Sequence, residues 1–386
     1  MASTVAQRGS VCLRFLVATS ILAAGCAVAE PSVTDPNPAA GSPPDPDANA
    51  LAPRMSGRPA IWIDRATLRR RPTEGPAWEA LVAAAGASAA RPDLSNQDDP
   101  TNVRVLAKAL VHARTGDPTL RDEVVRALRR AQGTERGASA LAIARELSSY
   151  VLAADLVGLD EADHAAFSAW LERIRERSFR GRTIRSTHED RPNNWGTHAG
   201  VTRLAIALYL DDREEVARAA DVFRGWCGER DAWRGFTFGD GSWQLPWSFR
   251  RHAVNPVGAR RGGHSIDGVL PDDQRRGGPF TWPPPKENYV WEALQGAVVQ
   301  SALLERAGYD AWSWGDRAIL RAVRWLHDEA SFPAEGDDTW VPHLVNDAYR
   351  SEFPAPVPSR PGKAMGFTDW THAPADEATG VAPRDE

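Results

Sequence analysis

Cysteine is scarce in this chain of 386 residues, with three in all, at Cys12, Cys26 and Cys227. Two of them fall in an N-terminal leader, so Cys227 has no intramolecular partner and no disulfide framework is expected. An exported protein built this way must rest on its core. No apolar run is long enough for a comfortable membrane span. A basic excess is also missing: the formal net charge is -5 and the pI near 6.0, which argues against a general nucleic-acid binder. His, Cys and acidic residues are not spaced as in HExxH or paired CxxC metal sites. Gly262-Gly263 and Gly277-Gly278 lack a phosphate-loop arrangement. The expectation is therefore a protein with no metal and no cofactor. Its length allows one large domain or two ordinary ones, and composition does not choose.

The N-terminus points to a compartment. Arg8 and Arg14 precede an apolar run over residues 15–24, which ends in small residues at Ala27-Val28-Ala29. This reads as a secretory signal peptide over residues 1–29. Cys26 follows Leu22-Ala23-Ala24-Gly25, so lipid attachment at Cys26 is the competing reading. Residues 30–53 are rich in Pro, Ala, Asp and Gly without apolar periodicity, and read as a flexible tether. The folded domain is expected over residues 54–372, and the polar stretch 373–386 as a disordered tail. A secreted or periplasmic monomer is the expectation, or a surface lipoprotein.

From Pro76 onward, amphipathic helical patterns recur with short connections and little period-2 alternation. The patterns predict helices over residues 76–90, 102–115, 118–131, 138–157, 161–177, 197–210, 213–227, 287–307 and 312–329. Asp117-Pro118 and Asp160-Glu161 supply recognisable starts. Helices joined this closely must run antiparallel, closing into a bundle, a solenoid or a toroid of hairpins. Residues 230–286 break the pattern, and a stretch of that length without periodicity is expected to be functional. Short strands are expected over residues 236–244. The Trp- and Pro-rich region from Asp337 to His372 must pack back on the helices to bury Trp340, Phe353, Phe367 and Trp370.

Chemistry concentrates in Arg191-Pro192-Asn193-Asn194-Trp195-Gly196-Thr197-His198, at the mouth of a predicted helix. Unpaired backbone N–H groups and the helix dipole favour an anion there. Arginines crowd two places, Arg173 to Arg191 and the loop carrying Arg250, Arg251, Arg260, Arg261, Arg275 and Arg276. The first cluster reads as a solvated face. The chain holds fifteen Trp. Those bordering the polar clusters, Trp195, Trp243, Trp282 and Trp291, are candidate platforms for pyranose rings, although most Trp serve packing. Asp267, Asp272 and Asp273 read as solvated loop acids, with a Ca2+ site as the lesser alternative.

Three features in order carry a family resemblance: Asn-Asn-x-Gly opening a helix, the loop Asp267-Gly268-Val269-Leu270-Pro271-Asp272-Asp273-Gln274-Arg275-Arg276-Gly277, and Tyr289 on the helix that follows. Together they resemble the alginate lyase superfamily of polysaccharide lyases, over about residues 192–307. Trp195 stands where many of these lyases have His. The resemblance implies a mainly α fold, an incomplete α/α toroid of antiparallel hairpins with a long irregular active-site loop and some short β structure. It implies β-elimination on an anionic uronate polymer, alginate or a glucuronan-like chain. It also implies Asn194, supported by Asn193, as the clamp that neutralises the carboxylate. Arg276 would act on the same charge or, with Arg275, on a neighbouring sugar, and Tyr289 would be the proton donor and possible base.

Proton transfer needs groups within hydrogen-bond reach of C5 and O4. His198 titrates near neutrality when unperturbed and is the first candidate partner for Tyr289. His252 and His264 in the Arg-rich loop are the reserves. Two other readings stay open: a glycoside hydrolase on a helical toroid using a pair among Asp240, Asp267, Asp273 and Glu287, and a glycan-binding protein without catalysis.

Overall fold

The computed structural model describes residues 60–246, 250–375 and 378. The expected signal peptide over 1–29, Cys26, the linker over 30–53 and most of the 373–386 tail lie outside the described residues. Along the chain run α1 (Arg65–Arg70), α2 (Pro76–Gly86), α3 (Thr101–Thr115), α4 (Pro118–Ala131), α5 (Ala140–Val157), α6 (Glu161–Glu176) and α7 (Ile184–Asp190). Then come α8 (Asn194–Leu210), α9 (Arg213–Cys227), β1 (Arg260–Arg261), β2 (His264–Ser265), α10 (Pro271–Gln274), α11 (Tyr289–Arg306), α12 (Trp314–Asp328), α13 (Val341–Tyr349) and α14 (Thr368–Thr371). Single 3-10 turns occupy Arg275–Gly277 and Gly336–Asp338. The fold is mainly helical and toroid-like, as expected.

Local chemistry sets the helix starts. Asp117 accepts from Thr119 N at 2.8 Å with Pro118 in the first turn of α4, and Asp160 accepts from Asp163 N at 2.8 Å at the start of α6. Each cap satisfies a backbone donor that has no intrahelical acceptor. Ser139 and Asp212 do the same for α5 and α9.

Burial sorts the helices into two rows. In α5, α8 and α11 nearly every residue is buried, which marks helices covered on all sides. Helix α3 packs on α5, α5 on α8 and α8 on α11, making an inner row. Helix α4 buries only the stripe Val124, Val125, Ala127, Leu128 and Ala131, and α9 and α12 are similarly one-sided. These lie outside the inner row, α4 against α3 and α5, and α9 against α8.

The inner row is close-packed at two glycines. A Cβ on Gly296 would overlap the Thr197 carbonyl carbon and stand 2.7 Å from His198 N, and a Cβ on Gly200 would overlap the Gln300 amide. Gln300 Nε2 donates to Thr197 O at 3.0 Å. His198 in the second turn of α8 lies against Glu292 in the first turn of α11, and Thr197 and Gly200 meet Gly296 and Gln300. The first two turns of α8 and the first turn of α11 therefore lie together.

The C-terminal region packs on the first helices. Trp340 and Trp370 are fully buried, Phe367 is buried and Phe353 partly so. Trp370 Nε1 donates to Pro72 O at 2.9 Å, and Ser149 Oγ donates to Ala364 O at 2.7 Å. Ala373 and Ala378 are buried, so the start of the stretch expected as a disordered tail is part of the core. The short strands expected over 236–244 are absent there; β structure falls instead in the hairpin pairing Arg260 with Ser265 and Arg261 with His264. Residues 236–244 are held by side-chain and long-range bonds, such as Thr237 N to Asp190 O at 2.8 Å, which leave no ladder to form.

Candidate active site

Four inner helices contribute polar residues within their first two turns: Asn102 on α3, Arg145 on α5, Asn194 and His198 on α8, and Tyr289 and Glu292 on α11. Asn102 Nδ2 donates to Lys363 O at 2.5 Å, bringing in the C-terminal segment. The site lies where α8 and α11 both begin.

The start of α8 is tied down by two acids of α10. Asn193 caps the helix, its Oδ1 accepting from Trp195 N at 3.2 Å, while its Nδ2 donates to Asp272 Oδ2 at 3.2 Å. Asn194 N donates to Asp273 Oδ1 at 3.0 Å. The first helical N–H groups are thus already satisfied, so the backbone is not the free anion site that a bare helix N-terminus would offer. What remains is the Asn194 side chain. It is fully buried, and neither its Oδ1 nor its Nδ2 has a partner. One turn on, His198 is also fully buried, with both ring nitrogens unpartnered. Positions i and i+4 share a helix face, so these two side chains form one strip.

Across from the strip, Glu292 Oε2 lies 3.9 Å from His198 Nε2 and is ion-paired with Arg145. Tyr289 is three residues before Glu292 on α11, on the same helix face. Its ring lies under the Arg276 guanidinium, 3.5 Å from the ring centroid. Arg276 is exposed and has no ion pair among the described residues. Tyr289 and Arg276 thus keep a route to solvent above a buried polar floor. Lys363 Nζ flanks this floor, 2.9 Å from Asp98 and 3.7 Å from Asp337.

Burial dominates the electrostatics. It holds His198 well below the usual imidazole range, with the Arg145 and Lys363 charges acting the same way, so the ring is neutral. Burial also raises Asp273 well above the ordinary carboxylate range, opposed by the Asn194 N–H and reinforced by Asp272. On α5, burial pushes Glu146 up to about 10, with Asp99 adding to it. The expectation of a histidine titrating near neutrality at this site does not hold for His198.

The structure distributes the other candidates unevenly. Trp195 is part-exposed at the first turn of α8. Trp282 stacks on His264, centroids 4.2 Å apart and 9° between planes, on the β1–β2 hairpin. Trp243 and Trp291 are 0% exposed and offer no face to a sugar ring. They are core residues, Trp243 Nε1 donating to Gly278 O at 2.9 Å and Trp291 Nε1 to Phe332 O at 3.2 Å. Arg275 is occupied, its Nε donating to Asp272 Oδ1 at 2.9 Å and its Nη1 reaching Asp240 at 3.4 Å. His252 lines a separate hollow of about 630 Å³ with Arg224, Arg230 and Arg250, and none of Asn194, His198 or Tyr289 lines it.

Asp267, Asp272 and Asp273 are not the solvated loop acids expected. Asp272 and Asp273 are buried, and Asp267 pairs with Arg321 at 2.5 Å. Each is claimed by a donor of the surrounding fold. The carboxyls open to a hydrolase are likewise engaged: Asp240 with Arg275, and Glu287 Oε1 accepting from Tyr289 N at 3.1 Å. The first arginine cluster is a paired face, with Arg175 on Asp212, Arg177 on Glu135, Arg182 on Asp190 and Arg185 on Glu215. In the loop, Arg251, Arg260 and Arg261 donate to backbone carbonyls and hold the segment together.

Sequence reasoning missed Arg145, Glu292 and Lys363. For Arg145 there was a signal: Arg145-Glu146 is a charged pair inside an otherwise apolar helix, where a charge needs a buried partner. Glu292 stands one turn after Tyr289, also readable. Lys363 reaches the site only through the return of the C-terminal segment, which no local pattern announces. Among the described residues no group of three metal-ligating side chains forms, and no helix is long and apolar enough to cross a membrane.

Fold and site together define a helical-hairpin protein with a buried amide and imidazole at the start of α8 and a part-exposed Tyr–Arg stack at the start of α11. Residues 104–232 match the family model for alginate lyase, which bears out the resemblance seen in the sequence and supports a polysaccharide lyase. The matched stretch runs from α3 to just beyond α9; it includes Arg145, Asn194 and His198 and stops before Arg276 and Tyr289. None of the curated proteins and none of the solved structures matches the chain.

Proposed function

We propose that the protein is an exported polysaccharide lyase that cleaves a uronate-containing polymer, alginate or a glucuronan-like chain, by β-elimination. The observation that carries this reading is the buried Asn194 side chain with both polar atoms unpartnered at the start of α8, with the Arg276–Tyr289 stack at the start of α11. Leaving a buried amide unmatched costs roughly 1–3 kcal/mol. A uronate carboxylate is a partner that recovers this cost, accepting from Asn194 Nδ2 and facing the unpaired Arg276 charge.

The chemistry follows from that placement. Neutralising the carboxylate lets negative charge build on it as the C5–H bond breaks. The electron pair left at C5 forms the C4–C5 double bond, the C4–O4 bond breaks, and O4 takes a proton. Tyr289 is the titratable group of the site that is open to solvent, and serves as base at C5 and acid at O4. His198 is sealed beneath it and neutral, so its part is to orient Asn194 and the floor rather than to meet the substrate. Trp195, part-exposed beside Asn194, is the aromatic face retained for a sugar ring; the Trp282–His264 stack is a second.

A panel of polyuronates, followed by the ultraviolet absorbance of the unsaturated product, tests the reading. A rise with at least one polymer is expected. New reducing ends without absorbance mean hydrolysis, and binding without either means a lectin-like role; both outcomes overturn the proposal.

A further inference from the structure

Asp272 and Asp273 are adjacent, both buried, and differently provided for. Asp272 accepts from Asn193 Nδ2 at 3.2 Å, Gly239 N at 2.7 Å and Arg275 Nε at 2.9 Å. Asp273, 0% exposed, accepts from Asn194 N alone, and its Oδ2 has no partner. Of the cations nearby, Arg275 is engaged by Asp272 and Asp240, while Arg276 stands over the Tyr289 ring and pairs with neither acid. Asp272 thus holds the Arg275 guanidinium while Asp273 forms no ion pair, so a second buried negative charge there would be poorly compensated.

We propose that Asp273 is a positioning residue that, buried and without an ion pair of its own, fixes Asn194 in the carboxylate-binding corner and sets no charge there against a polyanionic substrate. This rests on the lyase reading above. The groups that act on Asp273 are Asp272 on its own helix, Arg275 and Arg276 on the adjoining 3-10 turn, and the Asn194 N–H on α8. Burial, reinforced by the Asp272 charge, outweighs the Asn194 N–H and the two guanidinia and favours the neutral acid. An ionised Asp273 would set a negative charge against the incoming uronate, in a medium where such repulsion is poorly screened. Substrate affinity is therefore present while Asp273 is protonated and lost as pH rises through its ionisation. If only the protonated enzyme binds, the apparent KM rises about tenfold per pH unit beyond that point. Turnover of the bound complex, which is already protonated, does not follow.

The test compares the pH dependence of KM and kcat in the wild type and in Asp273→Asn, which keeps the acceptor for Asn194 N and cannot ionise. A wild-type KM that climbs on the alkaline side while that of D273N stays level, with kcat profiles alike in shape, supports the assignment. A D273N KM that climbs as the wild type's does overturns it. Should D273N fail to fold, calorimetry on Tyr289→Phe replaces it, using a tetramer of the polyuronate that the wild type cleaves, in two buffers of different ionisation heat. Uptake of close to one proton on binding, one pH unit above the rise in KM, is expected; uptake of none overturns the proposal. A wild type that yields unsaturated product but fails either test rejects Asp273 alone. A wild type inert on every polyuronate rejects the lyase reading with it.

Discussion

Asn194 and His198 are residues that a helix interior normally excludes, because a buried polar atom without a partner is destabilising. At the start of α8, Asn194 is a group waiting for a substrate rather than a defect, with His198 one turn behind it in the floor. Asn194→Ala should lower kcat on the order of 10²-fold, the usual effect of removing one donor to developing charge. Asn194→Asp should do worse, since it puts a like charge against the uronate; steady-state kinetics on both variants checks the order. Glu146 gives a stability prediction. Burial raises its folded-state value to about 10 from an ordinary 4.5, so its stabilising balance is intact below that ordinary value and is lost as pH rises toward 10. Glu146→Gln removes that loss and should stabilise the fold by up to about 3 kcal/mol at pH 7 and little at pH 5, read by denaturant midpoints at the two pH values. At this scale motif order singled out Asn193, Asn194 and Tyr289 as candidates, and the structure sets them at the starts of α8 and α11. It misjudged Trp243, Trp291 and Asp273, because burial is decided by what a long loop folds against, and the loop has no periodicity to declare it.

Among elements, α8 and α11 matter most, since the contact of their first turns brings the Asn194 and Tyr289 ends together. Gly296 makes that packing close. A methyl group there would meet the Thr197 and His198 backbone, so Gly296→Ala should cost about 1–3 kcal/mol and lower kcat together. Gly86→Ala is the control, having open space around it. A melting temperature for each variant, measured beside its kcat, tests the pairing. Some long helices were legible almost to the residue, as with 118–131 and 213–227, where caps and apolar stripes fix them locally, whereas α2 ends at Gly86 rather than 90 and α8 begins at Asn194 rather than 197. The short α7 and α10 were not. Each has fewer than two full turns of pattern, and tertiary bonds such as Asp273 to Asn194 decide them.

The whole molecule is joined by its C-terminal return, which sets Lys363 against Asp98 and packs Trp370 on Trp78. Sequence foretold the return from the need to bury Trp340 and Trp370, but not the partners, which are more than two hundred residues away in the chain for Lys363 and Asp98. Asp338, beneath this segment, is raised by burial from 3.8 to about 7 while accepting from Gln295 Nε2 at 2.7 Å. Its contribution is complete below its ordinary value and falls as pH rises to about 7. Thermal stability of Asp338→Asn should therefore vary less than that of the wild type across this interval; equal slopes would remove Asp338 as the cause. The central claim concerns chemistry, and one measurement meets it most directly: ultraviolet absorbance during incubation of the wild type and Tyr289→Phe with polyuronates. The account predicts a rise for the wild type and none for a folded Tyr289→Phe. It is contradicted by equal rates in the two proteins, or by cleavage that produces reducing ends without absorbance.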